Sequence, residues 1–342
     1  MYRVSRLDLW VHPVFDELIA RAADLSVLPA RGDDAATLAR LGASHAYLVS
    51  AARDELPAAW HVSRELLRAC PDLLCVASSG AGYDTVDVAA CTDAGVAVVN
   101  QAGMNADSVA EHTFALLLAV QRRIVVSHRK LSTCSGFSRE SLMGHEIRGT
   151  RIGLVGLGHI GRRVVGIAKG FGMTVCAHDP YLDAETIRAC GAEPVSLATL
   201  LATSDVVSLH CPLNDETRGL FGARQYAAMK RGAVFLTTAR GGIHDEDALD
   251  DALASGHLAG AGLDVWRVEP PPKDAPLLQR DNVVASFHTG GVTHEARRNV
   301  ARGGAEQILM MLRGERPPRL VNPEAWPAFM KRLDGLKRLD GR

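Results

Sequence analysis

The segment Gly156-Leu157-Gly158-His159-Ile160-Gly161 constrains this chain more than any other. It follows a short apolar run, residues 152–155, and opens a helical pattern from Ile160 to about Phe171. A GxGxxG read alone is a weak signal. Between a strand and a helix it becomes the fingerprint of a dinucleotide-binding βαβ unit. Gly156 permits the tight turn, Gly158 lets the backbone approach a pyrophosphate, and Gly161 lets helix and strand pack closely. The helix start at His159 and Ile160 offers N–H groups and partial positive charge to the phosphates. Asp179 lies roughly 20 residues further on, at the end of the next apolar run, where a carboxylate can accept hydrogen bonds from an adenosine ribose. A carboxylate there also repels a 2′-phosphate, and its neighbours His178 and Pro180 offer no arginine to bind one, so NAD is expected over NADP. The bland alternative makes Asp179 a turn residue ahead of Pro180.

From Arg151 onward the chain reads as regular βαβ units. Strand candidates are residues 152–155, 174–177, 206–209, 233–237, 261–265 and 283–286, each short, apolar and followed by turn or polar residues. That is the rhythm of a doubly wound parallel sheet. The first hundred residues are α/β as well, with strands expected at 46–49, 73–77 and 96–99. Between the two halves a single long helix is expected from Ser108 to about Lys130. Ser108 would be its N-cap and Glu111 would complete a capping box. Residues 131–148 read as an irregular polar arm, and a further helical pattern runs from Glu295 to about Leu312.

With 342 residues the chain has room for about two domains of ~150 residues. Its formal charge is −1, from 38 basic and 39 acidic residues, which gives no electrostatic case for nucleic acid or an anionic membrane surface. Seven cysteines are spread without a CxxC pair or a Cys/His zinc spacing. They read as free thiols of a reducing cytosol, with no metal site. No signal-peptide core follows Met1 and no apolar run reaches the ~18 residues of a membrane span, so a cytoplasmic protein is expected.

Three polar side chains each follow an expected strand of the second half: Arg240 after 233–237, Glu269 after 261–265 and His288 after 283–286. Ligands of open parallel sheets bind beyond the carboxyl ends of the strands, so residues distant in sequence can converge there. The trio suits carbonyl reduction. Arginine binds a carboxylate in a fork and polarises a carbonyl, histidine exchanges a proton near neutral pH, and a glutamate beside it favours and orients its charged form. Singly, each would more often be a solvated or structural residue. Their joint placement after successive strands points to an active site. His112, His210 and His294 read as structural or peripheral.

Over nearly its whole length the chain resembles the D-isomer-specific 2-hydroxyacid dehydrogenases. The resemblance rests on Gly80-Ala81-Gly82-Tyr83-Asp84, residues 100–111, the glycine loop, Leu209-His210-Cys211-Pro212-Leu213, Ala239-Arg240-Gly241, Leu263-Asp264-Val265, Glu269-Pro270 and residues 288–296. It implies an NAD-dependent oxidoreductase that interconverts a small 2-oxo acid and its D-2-hydroxy acid, with glyoxylate or hydroxypyruvate as the leading candidates. Arg240 would bind the substrate carboxylate and carbonyl, and His288 would donate the proton, assisted by Glu269. Backbone amides of Ser79, Gly80, Ala81 and Gly82 would help hold the carboxylate. Ala239 and Asp264 would line the nicotinamide end of the cofactor site. The fold implied is two Rossmann-like α/β domains, with an NAD-binding domain (104–295) inserted into a discontinuous substrate domain (1–103 plus 296–342). The family commonly pairs as a homodimer through the region around 108–150.

There are departures from the family pattern. Thr237 stands where asparagine is frequent, Phe287 and Ala102 stand where proline is usual, and Phe137 replaces a tryptophan of some members. They bear on substrate identity more than on reaction type. Phosphoglycerate dehydrogenases of this family place arginines where Ser50 and Ser78 stand. Formate dehydrogenases carry glutamine at Glu269, and phosphite dehydrogenases lysine at Ala81. A non-catalytic NAD(H)-sensing regulatory protein on the same fold is the rival reading, since fold does not fix function.

Overall fold

The structure is a computed structural model that describes residues 1–133, 136 and 138–339. The chain divides into two compact units, Met1–Asn105 with Thr293–Arg342, and Ala106–Val292.

The first unit is built on a parallel sheet of β1 (Arg3–Leu7), β2 (Asp24–Leu28), β3 (Ala46–Val49), β4 (Cys75–Ser78) and β5 (Ala97–Val99). Their order is β2-β1-β3-β4-β5. β3, β4 and β5 are buried along their whole length, which is why they read as unbroken apolar runs rather than alternating ones. One face packs on Phe15 and Ile19, on Ala301, Ala305, Ile308 and Met311 of the helix His294–Arg313, and on Phe329 and Leu333 of the helix Trp326–Leu339. The other face holds Leu41, Tyr47, Trp60 and Leu67.

The second unit carries β6 (Arg151–Val155), β7 (Thr174–His178), β8 (Glu193–Pro194), β9 (Val206–Leu209), β10 (Val234–Thr237), β11 (Gly260–Leu263) and β12 (Val283–Ala285). All pairings are parallel, in the order β12-β11-β10-β9-β6-β7-β8. The chain winds outward one way from β6 to β8 and the other way from β9 to β12. The crevice between β6 and β9 is therefore a topological switch point, the place where such sheets bind nucleotides. Among the described residues no helix is long and apolar enough to cross a membrane. The cysteines described in either unit are free thiols.

The expected single helix after residue 108 is two helices, Ala106–Gln121 and Ile124–Thr133. Ser108 is therefore inside the first turn and is not the N-cap. The break falls at Arg123, whose φ of 51° lies in the left-handed region that interrupts a right-handed helix. The apolar stretch is buried, as its composition implies: Ala110, Phe114 and Leu117 pack on Ile152 and Leu154 of β6. Phe137 lies outside the described residues.

Candidate active site

The glycine loop leaves β6 at the switch point and enters the helix His159–Gly170. Gly156 has φ +96°, a conformation that an L side chain rarely adopts, and its N–H donates to His178 O at 2.9 Å. A Cβ at Gly161 would stand 2.5 Å from the Gly156 carbonyl oxygen, so helix and turn touch there. A Cβ at Gly158 would meet nothing, leaving open space beside the helix N-terminus. An open, glycine-floored cradle under the N–H groups of His159 and Ile160 fits a dinucleotide pyrophosphate. Asp179 directly follows β7, at the strand end where it was expected, but it is also structural. Its Oδ2 accepts from Leu157 N at 2.8 Å and its Oδ1 from Tyr181 N at 3.0 Å. Turn residue and ribose acceptor are thus compatible roles, because each carboxylate oxygen keeps a second lone pair.

Arg240, Glu269 and His288 follow β10, β11 and β12 in turn. Arg240 Nη1 donates to Ala239 O at 2.7 Å, and Ala239 itself is buried at this turn. A Cβ at Gly241 would collide with the Trp266 carbonyl, so only glycine lets the Arg240 turn press against the segment that carries Glu269. Trp266 then fixes that segment twice. Its backbone N–H donates to Glu269 Oε1 at 3.1 Å, and its indole N–H donates to Ser286 O at 3.0 Å. Glu269 Oε2 lies 2.9 Å from His288 Nδ1.

The electrostatics follow from that geometry. Burial works against a charge on Glu269. The hydrogen bond and charge of His288, the Trp266 N–H and the charge of Arg240 outweigh it and hold the carboxyl below its usual value. An ionised carboxylate only accepts, so Nδ1 of His288 carries a proton and Nε2 is left as the nitrogen that can exchange one with a substrate. The ring is 41% exposed, open enough to meet a ligand.

His288 has φ +47°, rare for a non-glycine residue, and Asp264 holds it there. The Asp264 carbonyl accepts from His288 N at 2.7 Å. Its carboxylate, on a residue 1% exposed, accepts from Thr289 N and Gly290 N, both at 2.8 Å, and from the Ser286 hydroxyl at 2.7 Å. His112 Nε2 stands 3.4 Å from the same carboxylate. Burial opposes the charge of Asp264, but the bonds from His112, Ser286, Gly290 and Thr289 prevail and keep it below its usual value. Sequence reading placed His112 as structural or peripheral without its partners, and it did not find Ser286 or the structural share of Asp264. The available signals were Gly290, where a Cβ would sit 2.8 Å from Asp264 Oδ2, and Gly241. His210 bonds the Ser208 hydroxyl at 2.9 Å, and His294 opens the helix His294–Arg313 of the first unit. Phe287, one of the departures, is half exposed beside His288.

In the first unit Ser79, Gly80, Ala81 and Gly82 form the loop after β4. Gly80 O accepts from Gln101 N at 2.8 Å, Ala81 O from Asn100 Nδ2 at 2.8 Å, and Gly82 O from the Ser78 hydroxyl at 2.5 Å. Ser79 Oγ accepts from Ala51 N at 3.2 Å. The loop is anchored through these oxygens and through Ser79 N, which donates to Val49 O at 2.9 Å, so the Ser79 amide expected to hold a carboxylate is already bonded within the fold.

The chain is similar to known proteins over most of its length. The family model for the D-isomer specific 2-hydroxyacid dehydrogenase NAD-binding domain matches residues 114–290. A glyoxylate reductase of Korarchaeum cryptofilum is 40% identical over 77% of this chain and 80% of its own length. A D-3-phosphoglycerate dehydrogenase of Archaeoglobus fulgidus is 41% identical over 74% of this chain, but the match spans only 48% of that protein. The crystal structure of a glyoxylate reductase from Paecilomyes thermophila superposes with a TM-score of 0.82 at 29% identity, covering 94% of this chain and 99% of that one. The second unit is thus an NAD-binding domain, and the chain belongs to the D-isomer specific 2-hydroxyacid dehydrogenase family.

Proposed function

We propose that this chain interconverts a small 2-oxo acid and its 2-hydroxy acid, of the D form where the product is chiral, with glyoxylate or hydroxypyruvate as the 2-oxo acid. The observation that carries the reading is the 2.9 Å His288–Glu269 pair, with the Arg240 charge acting on the same carboxylate at the carboxyl ends of adjacent strands. Gly156, Gly158, His159, Ile160, Gly161 and Asp179 would hold NAD(H), which when bound would supply or take up the hydride. Arg240 binds the substrate carboxylate and polarises its carbonyl, where a guanidinium fork fits two oxygens. His288 Nε2 gives its proton to the developing alkoxide, and Glu269 holds the ring in the orientation that allows it. The loop after β4 offers the N–H groups of Gly80, Ala81 and Gly82 to a carboxylate, whereas that of Ser79 is already given to Val49 O at 2.9 Å. NADH oxidation with a panel of 2-oxo acids tests the proposal. Turnover of none of them sinks it and favours an NAD(H)-sensing role.

NADH should be preferred over NADPH in kcat/KM by roughly 10- to 10³-fold. A 2′-phosphate beside Asp179 meets a like-charge repulsion on the order of 1–4 kcal/mol. Equal use of the two cofactors would remove the ribose role from Asp179.

Glu269→Gln should lower kcat/KM and change its pH profile, because the carboxylate that accepts from His288 Nδ1 is gone. Glu269 is held below its usual value and so stays charged through the neutral range, where glutamine carries no charge. A pH profile of kcat/KM that does not move would separate Glu269 from His288.

Two copies are proposed to pair through the helix Ile124–Thr133 and the residues after it. Ile124, Val125, Leu131 and Met143 are exposed there, and light scattering of the purified chain reads the assembly state. The free thiols fit the cytoplasm.

A further inference from the structure

We propose that His112 is a positioning residue for the reaction. Together with Ser286 it holds the Asp264 carboxylate that fixes the backbone turn presenting His288. The inference rests on the reading of His288 as the proton donor. His112 lies on the helix Ala106–Gln121, far in sequence from every other group of the site. Its Nε2 is 2.7 Å from Ser286 Oγ, and Ser286 Oγ is 2.7 Å from Asp264 Oδ1. The direction of the chain is set by its end. An ionised carboxylate only accepts, so the Ser286 hydroxyl donates to Asp264, its oxygen is left to accept, and His112 Nε2 carries the hydrogen that Ser286 receives. Asp264 in turn takes the N–H groups of Thr289 and Gly290 and, through its carbonyl, that of His288. That backbone is in a left-handed conformation which persists only where surrounding bonds over-determine it. The packing leaves no slack, because a Cβ at Gly290 would lie 2.8 Å from Asp264 Oδ2 and 3.4 Å from His112 Cδ2. Without the His112 donor, Ser286 is free to rotate, and Oδ1 of Asp264 is left with the Thr289 N–H as its fixed partner.

The test compares His112→Leu, which removes the donor, with His112→Gln, whose amide N–H can replace it. Both residues suit a helix. Expected for H112L is about a tenfold fall in kcat, with the substrate KM and the NADH Kd (by fluorescence) within about twofold. H112Q should stay within about threefold of the parent kcat, and the double variant H112L/S286A should be no worse than H112L, because both act through one chain of bonds. A structural role alone would not separate Leu from Gln in kcat while sparing KM. The rate at which diethyl pyrocarbonate labels His288, read by peptide mass spectrometry, is an independent measure that needs no substrate. It should change at least about threefold in H112L and little in H112Q. Labelling therefore tests the positioning even if no 2-oxo acid is turned over. Equal labelling in all three proteins, an H112L kcat near that of the parent, or an H112Q as impaired as H112L would each overturn the proposal. If H112L does not fold, Ser286→Ala removes a single oxygen from the same chain and carries the same expectations.

Discussion

Replacing His288 with alanine should slow the reduction step by on the order of 10²–10⁴, the usual contribution of a positioned general acid, while NADH should bind as before. The size follows from the chemistry. As hydride arrives at the carbonyl carbon the oxygen becomes an alkoxide, and no other described side chain in the trio can neutralise it by giving up a proton. Arg240 stays charged at any accessible pH, and Glu269 is already ionised. Binding of NADH is spared because the glycine loop and Asp179 lie at the ends of β6 and β7, whereas His288 follows β12 at the far edge of the order. A loss of folding must be separated from a loss of chemistry. His288→Asn serves that end, since asparagine tolerates the left-handed backbone seen at φ +47° and cannot act as an acid. H288N should melt near the parent Tm and be as inactive as H288A. An H288N turnover rate within tenfold of the parent would mean that the proton comes from elsewhere.

Why the trio was legible and its support was not has a physical explanation. Arg240, Glu269 and His288 sit where a parallel sheet always presents its ligand site, so strand positions alone brought them together. The strands themselves were visible because burial on both faces leaves an apolar run, as in Val206–Leu209, found with its own bounds. β1 escaped notice because Ser5 and Arg6 interrupt it. Both polar groups are satisfied only by the tertiary fold. Ser5 Oγ meets Ser44 Oγ at 2.6 Å, and Arg6 pairs with Asp16 at 2.8 and 2.7 Å. The helix break at Arg123 had no glycine or proline to announce it, and a non-glycine left-handed residue leaves no mark in a periodicity. The bonds among His112, Ser286 and Asp264 join three elements through side chains. Nothing in the spacing of 112, 264 and 286 encodes that meeting.

Hydroxypyruvate should be a better substrate than its 3-phosphorylated counterpart by roughly 10²–10⁴ in kcat/KM, although proteins named D-3-phosphoglycerate dehydrogenase are as similar to this chain as glyoxylate reductases are. A phosphate needs cationic donors. At the positions where those relatives are expected to carry arginine, this chain has serines, and the structure occupies both. Ser78 is fully buried and spends its hydroxyl proton on Gly82 O, while Ser50 Oγ accepts from Ala52 N at 3.3 Å. Arg6, at the end of β1, is neutralised by Asp16 and donates also to the carbonyls of Leu7 and Leu9 at 2.9 and 3.4 Å. Losing two charge-assisted contacts at ~1.5–3 kcal/mol each gives the stated range. Arg53, exposed a few residues beyond β3, is the cation of this stretch that could still reach a phosphate. Arg53→Ala separates the two cases. It should leave the hydroxypyruvate rate unchanged and, if Arg53 compensates, lower the phosphorylated substrate alone. A parent enzyme that prefers the phosphorylated compound would show that charge reaches the site from residues other than Ser50 and Ser78, and the discrimination argued from those two positions would fall.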